Sequence, residues 1–223
     1  MADFFDIAYT PTVLGLQDRR GSRGLYGDIE ASPLADADAG SLTSHELTAD
    51  EVELITGRDS LYLATVGENG WPYVQHRGGQ PGFVHQLDAH TIGWVERSGN
   101  RQYIGTGNIA ANGRVAAILV DYPTRRRLKL YGLATHHTDP SPELVERLGG
   151  TDVRIDGAIT IRVLATNWNC PKFITPRFTE DQITEQVVEP LQAALEQRDA
   201  RIVDLQDQLA GLEAQLAELR GAS

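Results

Sequence analysis

The sequence predicts a mainly β domain with inserted helices, an antiparallel barrel, followed by a C-terminal coiled-coil helix. Three observations carry this. Residues 60–66 and 71–77 alternate apolar and polar side chains around Gly67-Glu68-Asn69-Gly70, whose Asn-Gly pair suits a hairpin turn. Hairpin spacing of this kind favours an antiparallel barrel over a parallel α/β sheet. Val115 to Val120 is a nearly continuous apolar run, as expected of a buried strand. In the tail the period becomes seven: Val188, Leu195, Ile202, Leu209 and Leu216 form one series, and Leu191, Arg198, Leu205, Leu212 and Leu219 the other. These are the two core positions of a heptad.

The elements follow in order. Residues 1–47 read as a loosely structured arm, with a surface loop over 31–44. Thr48 and Glu51 make a capping box, Val52, Leu54 and Ile55 supply a helix face, and Gly57 stops it. Two hairpins come next, 60–77 and 83–95, the second turning at Asp88-Ala89-His90. Residues 100–112 read as a helix capped by Asn100. Strands are expected over 115–120, 126–136 and 159–164, about seven in all, with a short helix from Pro142 to Leu148. The domain is expected over 48–178 and the tail over 179–223. Pro190 lacks an N–H donor, so it should kink or start the last helix. An apolar seam of this kind needs a partner: self-association is favoured over packing on the chain's own barrel.

The chain has 223 residues and a net charge of −11. An acidic chain is poorly suited to nucleic acid, whose phosphates need Lys and Arg. Residues 179–220 hold ten acidic and three basic side chains, leaving the rest close to balanced. Cys170 is the only cysteine, so no intrachain disulfide is possible. No apolar run approaches the roughly 18 residues of a membrane span. The expected location is the cytoplasm.

Four stretches could carry chemistry. Tyr73, Gln75 and Arg77 share one strand face, His76 lies on the other, and Gly78-Gly79 would let a flat ligand approach the backbone. The same residues also read as a surface arginine before a glycine turn. Asn100, Arg101 and Gln102, after Gly99, read as the first turn of a helix, where free N–H groups and a guanidinium suit a phosphate. Arg125-Arg126-Arg127 cluster cations at a strand start. Asn167 to Phe173, with Pro176-Arg177 beyond, mixes Trp168, amides and Lys172 in a loop after the last strand. No metal is expected: His136 and His137 are adjacent on a strand and should point to opposite faces.

Three stretches, DSLYLATVGENGWPYVQHRGGQPGF, GNRQYIGTGNIAANGRVAAILVDYPTRRRLKLYG and NWNCPKFITPRFT, together resemble the FMN-binding split β-barrel superfamily. The likeness is to its pyridoxamine 5'-phosphate oxidase-related branch, and it spans most of residues 59–179. The resemblance implies a homodimer with two FMN molecules at the interface. It implies that Gln75, His76, Arg77, Gly78 and Gly79 follow the flavin, and that Asn100, Arg101 and Gln102 hold its phosphate. Arg127 would reach the flavin from the middle strand, and Trp168, Asn169 and Arg177 would complete the site. The sequence departs from the oxidase at Gln80 and Gln102, where lysines are usual, and lacks its closing Arg-Leu-His-Asp-Arg motif.

The resemblance therefore points to an FMN-dependent oxidoreductase of unassigned substrate, with FAD, deazaflavin F420 or haem as other ligands of such barrels. Flavin chemistry needs no obligatory protein acid or base. His76, Lys172 and Arg177 are the candidates for contact with a small-molecule substrate or electron donor. The alternative is a non-catalytic flavin carrier or sensor that recruits partners through its coiled coil.

Overall fold

A computed structural model describes residues 4–25, 42–150, 154–168 and 171–221. The chain divides into two compact units, residues 1–175 and 176–223.

The first unit is built on seven antiparallel strands. β1 is Ser60–Val66, β2 Pro72–Gly78, β3 His85–Asp88, β4 Thr91–Arg97, β5 Arg114–Asp121, β6 Arg126–His137 and β7 Ile155–Trp168. Their order across the sheet is β2-β1-β5-β6-β7-β4-β3. Laid flat, β2 and β4 would be five strand spacings apart, roughly 24 Å at about 4.8 Å each. Instead Arg77 of β2 and Glu96 of β4 form an ion pair of 3.0 Å. The sheet has curled until its ends meet, which makes it a barrel.

Alternation explains what fills it. Leu61 and Leu63 of β1, Ile92 and Trp94 of β4, Leu128 and Leu130 of β6, and Ile159, Ile161 and Val163 of β7 are buried in one core. The intervening side chains face outward. β6 and β7 exceed their expected lengths and stay paired through a register shift between Tyr131 and Gly132. A Cβ at Gly132 would lie 2.4 Å from the Ile161 side chain and 2.8 Å from the Arg162 carbonyl, so only glycine permits this approach.

Helix α3 (Ala49–Thr56) has the expected capping box. Its Glu51 does more than cap. One carboxylate oxygen accepts from the Thr48 N–H at 2.8 Å and lies 2.9 Å from His45 Nε2. The other accepts from the Thr166 hydroxyl of β7. The approach segment is tied down as well, with the His45 N–H donating to the Val163 carbonyl and Arg162 donating to the Leu42 carbonyl and Ser44 hydroxyl.

The arm is more ordered than the sequence suggests. It contains helices α1 (Phe4–Ala8) and α2 (Pro11–Arg20), the latter capped by Thr10. The Phe4 ring stacks on Tyr131 of β6 at 4.8 Å. Pro11 is the reason the sequence misleads: at the first helical turn its missing N–H costs nothing. Most of the expected surface loop, residues 31–41, lies outside the described residues. Helix α4 also differs. It runs from Ile104 to Asn112, so Asn100, Arg101 and Gln102 belong to the preceding loop, and its N-cap, Tyr103, makes no side-chain cap bond. Asn100 instead accepts from the Gln102 N–H at 3.1 Å, a local bond that holds the chain out of the helix. Helix α5 spans Pro142–Arg147, capped by Ser141.

The second unit is helical. α6 (Glu180–Ile183) passes through a π turn, Thr184–Val188, into α7 (Glu189–Gly221). The π turn ends just before Pro190, where an α-helical hydrogen bond has no donor. Its heptad leucines are exposed. Among the described residues no helix is long and apolar enough to cross a membrane.

Glu51 yields a pH prediction. Burial works to raise its pKa, but the bonds from Thr166, Thr48 and His45 outweigh this and hold it below the ordinary 4.5. A depressed carboxyl stabilises the fold above its unfolded pKa, and that contribution is lost as pH falls through the lower folded value. Thermal melts should therefore show Glu51→Gln less stable than the parent at pH 7, by about 1–3 kcal/mol. The gap should narrow as the pH is lowered below the ordinary carboxyl value of 4.5.

Candidate functional site

The inward face of β2 is anomalous. Leu61, Leu63 and Thr65 of β1 pair with Arg77, Gln75 and Tyr73, so these three point the same way as core leucines. The inward series of β4 runs Ile92, Trp94, Glu96, and that of β6 ends Ala134, His136. At one end of the barrel the core thus gives way to polar groups, which line a cleft of about 180 Å³.

Glu96 is held from two sides. Arg77 pairs with one oxygen, and the Trp94 indole N–H donates to the other at 2.7 Å. The Nε of Arg77 is buried and has no hydrogen-bond partner. Burial lowers the pKa of His136, with His137 and Arg77 acting the same way and Glu96 opposing them. His136 therefore faces the cleft as a neutral imidazole at pH 7.

The opposite wall is the loop 97–103 and the start of α4. Arg101 and Tyr103 both adopt left-handed backbone, with φ of 59° and 54°. Such a conformation costs a non-glycine residue roughly 1–2 kcal/mol. The loop sets Arg97, Asn100, Arg101 and Gln102 around the cleft, beside the first residues of α4, Ile104, Gly105 and Thr106. The first N–H groups of a helix have no internal partner. Gly105 permits the close fit: a Cβ there would lie 2.9 Å from Gln75 Oε1 and 3.4 Å from the Arg77 guanidinium. Asp156 also lines the cleft and accepts from the Ser98 hydroxyl at 2.5 Å.

The structure sorts the residues singled out in the sequence. Gln75, Arg77, Asn100, Arg101 and Gln102 come together here. His76, Gly78 and Gly79 line a second cleft of about 380 Å³, which shares Arg77, Glu96 and Arg97 with the first. The His76 ring meets Tyr62 edge-on at 5.6 Å. Arg127 lies on β6 opposite Val120 and lines neither cleft. Trp168 ends β7 beneath the Arg126 guanidinium, 4.8 Å away, and lines an outer groove with Asn167 and Tyr131. Lys172 is exposed, its ammonium 5.2 Å from the Phe173 ring. Arg177 belongs to the second unit. Asn169 and Cys170 lie outside the described residues. His136 and His137 do point apart: His137 bonds the Thr160 hydroxyl at 2.9 Å.

Residues 47–159 match the family model described as pyridoxamine 5'-phosphate oxidase. The chain belongs to this family. Among solved structures, a putative pyridoxamine 5'-phosphate oxidase from Lactobacillus delbrueckii is 23% identical, with 55% of this chain and 93% of that chain covered and a TM-score of 0.44. An FMN-binding protein from Syntrophomonas wolfei is 12% identical, covering 53% of this chain and 83% of that one, with a TM-score of 0.41. A structure titled F420 Reductase is 25% identical, covering 54% and 98%, with a TM-score of 0.38. No curated protein matches the sequence.

Family membership accounts for the barrel; the chemistry of the cleft belongs to these side chains. Sequence reasoning missed Glu96, Arg97, His136 and Gly105. The first and third had a readable signal, because extending the inward series from Trp94 and Ala134 by two residues reaches them. Arg77→Met should leave the Glu96 carboxylate without its cation and lower stability by about 2–4 kcal/mol. Arg77→Met with Glu96→Gln should recover part of the loss. Chemical denaturation of the three variants measures this.

Proposed function

We propose that the chain binds FMN and acts as a flavin-dependent oxidoreductase, as a homodimer in the cytoplasm. The observation that carries the reading is the meeting of Arg101, the uncapped start of α4 and the Arg77 side chain at one cleft. Guanidinium groups and helix N-termini are the standard partners of a phosphate monoester. Strain at Arg101 and Tyr103 supports a ligand role, because strained backbone concentrates at functional sites. The family supports a flavin nucleotide over other phosphate esters.

The residues present fit such a ligand. Arg101, Gln102 and the α4 N–H groups would take the phosphate. Gln75 and Arg77, with the glycines after them, would follow the rest along β2. Bound FMN would supply the hydride or electron transfer, and the protein its binding and orientation. A neutral His136 adds a hydrogen-bonding group without adding charge. His76 and Lys172 of the first unit remain candidates for touching a substrate.

The exposed heptad seam of α7 favours a second reading, a flavin carrier that recruits a partner. Bleaching of bound flavin by NADH or NADPH, followed by reoxidation with an acceptor, selects the enzyme. Flavin that stays oxidised with both donors selects the carrier.

The purified protein should be yellow and release FMN on denaturation. Arg101→Ala should weaken FMN about 10- to 150-fold, the equivalent of roughly 1.5–3 kcal/mol, and leave riboflavin nearly unchanged. Equal weakening of both ligands would remove Arg101 from the phosphate site. A colourless protein that ignores micromolar FMN would overturn the proposal.

A further inference from the structure

We propose that residues 188–219 pair with the same residues of a second copy of this chain as a parallel, in-register, two-stranded coiled coil, in which Arg198 and Asp199 of both helices form one four-charge layer. The inference stands apart from the flavin reading.

α7 is continuous from Glu189, directly after Val188 at the end of the π turn, and its seam is open. Exposure of the heptad leucines and isoleucine runs from 44% at Ile202 to 70% at Leu219. The seam is narrow, two positions in seven, which matches a second helix of the same kind. The first core position is β-branched at Val188 and Ile202 and leucine at Leu195, Leu209 and Leu216, and the second is leucine except for Arg198. The β-branched layers are the ones that favour two parallel strands.

Charge is the apparent obstacle, since the tail is strongly acidic. Its distribution removes the obstacle. Glu189, Glu196, Asp204 and Asp207 fall at heptad positions on the far side of the helix from the seam. The seam and its two flanks hold Arg198, Asp199, Arg201, Glu213 and Arg220, which sum to +1. The negative charge is turned outward and the contact face is nearly neutral. Arg201 is drawn away from the seam by Asp204, 2.5 Å from its guanidinium.

Arg198 decides the orientation. It already binds Asp199 of its own helix through two nitrogens, at 2.6 and 3.0 Å. In a parallel pair the two arginines meet in one layer with both aspartates beside them, and the four charges cancel. In an antiparallel pair of full overlap the two arginines lie in separate layers, each with only its own Asp199 and facing Leu209 of the other helix. Two apolar layers are then interrupted by charge, against one in the parallel pair, and burying charge among leucines is costly. A single polar core residue of this kind also fixes register, since any stagger places the two arginines in separate apolar layers.

Cysteine cross-linking of the full-length chain tests this, with Cys170→Ser removing the native thiol. A disulfide needs Cα atoms within about 7 Å, which opposed core positions satisfy and distant ones do not. Under mild oxidation Leu212→Cys alone and Leu195→Cys alone should each give a covalent dimer. Mixing the two should add no 212–195 product. A 212–195 product in place of the homodimers means antiparallel pairing and overturns the proposal. Absence of any cross-link overturns self-pairing altogether. In the Arg198→Leu background, staggered products such as 205–212 should appear; if pairing stays strictly in register, Arg198 does not set it.

Discussion

The Arg77–Glu96 pair is the contact on which the rest of the barrel depends. It joins strands near opposite ends of the sheet, and it does so inside the barrel, with the Trp94 indole fixing the carboxylate from the core side. A barrel needs its edges brought together, and a sheet of seven strands leaves two edges to protect. Here the contact near those edges is ionic. A half-buried pair of this type contributes little as a net interaction, because desolvation offsets the attraction. What it contributes is placement. It orients the Arg77 guanidinium so that one nitrogen is spent on Glu96 while the side chain lines the cleft.

The cleft follows from where the inward series of three strands end. β2 carries Tyr73, Gln75 and Arg77 where its neighbour carries core residues, and β4 and β6 finish their buried runs on Glu96 and His136. Polar groups at one end of a hydrophobic barrel are destabilising unless they have partners. The loop 97–103 and α4 answer part of that demand, at the expense of two left-handed residues and a glycine with no room for a Cβ. The geometry is consistent with a ligand that supplies the remaining partners.

At the other end the chain is pinned by a carboxylate with no evident ligand role. Glu51 caps α3, holds His45 and receives the Thr166 hydroxyl, so one buried side chain fastens the approach segment, the helix and β7. The second unit solves a different problem. Its apolar surface is an exposed stripe on a helix, with Glu189, Glu196, Asp204 and Asp207 on the other side.

Much of this was legible without coordinates. Period-two alternation, the Asn-Gly turn, the Thr48–Glu51 box and the heptads are local signals, set by backbone geometry over a few residues, and each of those elements formed where it was expected. Grouping Arg77 with Arg101 was legible through the resemblance. The extent of β7, the order of the N-terminal helices, the loop conformation of residues 100–103, and the pairing of Arg77 with Glu96 were not. Helix α1 is held by the stacking of Phe4 on Tyr131, more than a hundred residues away. Asn100 reads as a helix cap from its type and position, yet it caps a turn instead, because α4 begins where Gly105 can lie against Gln75 and Arg77. The sequence determined the strands, the turns, the helix stripes and the residue types of the site, since these depend on neighbours within about seven positions. Which polar ends of which strands meet was decided only when the sheet closed, because closure brings together side chains that no local period relates.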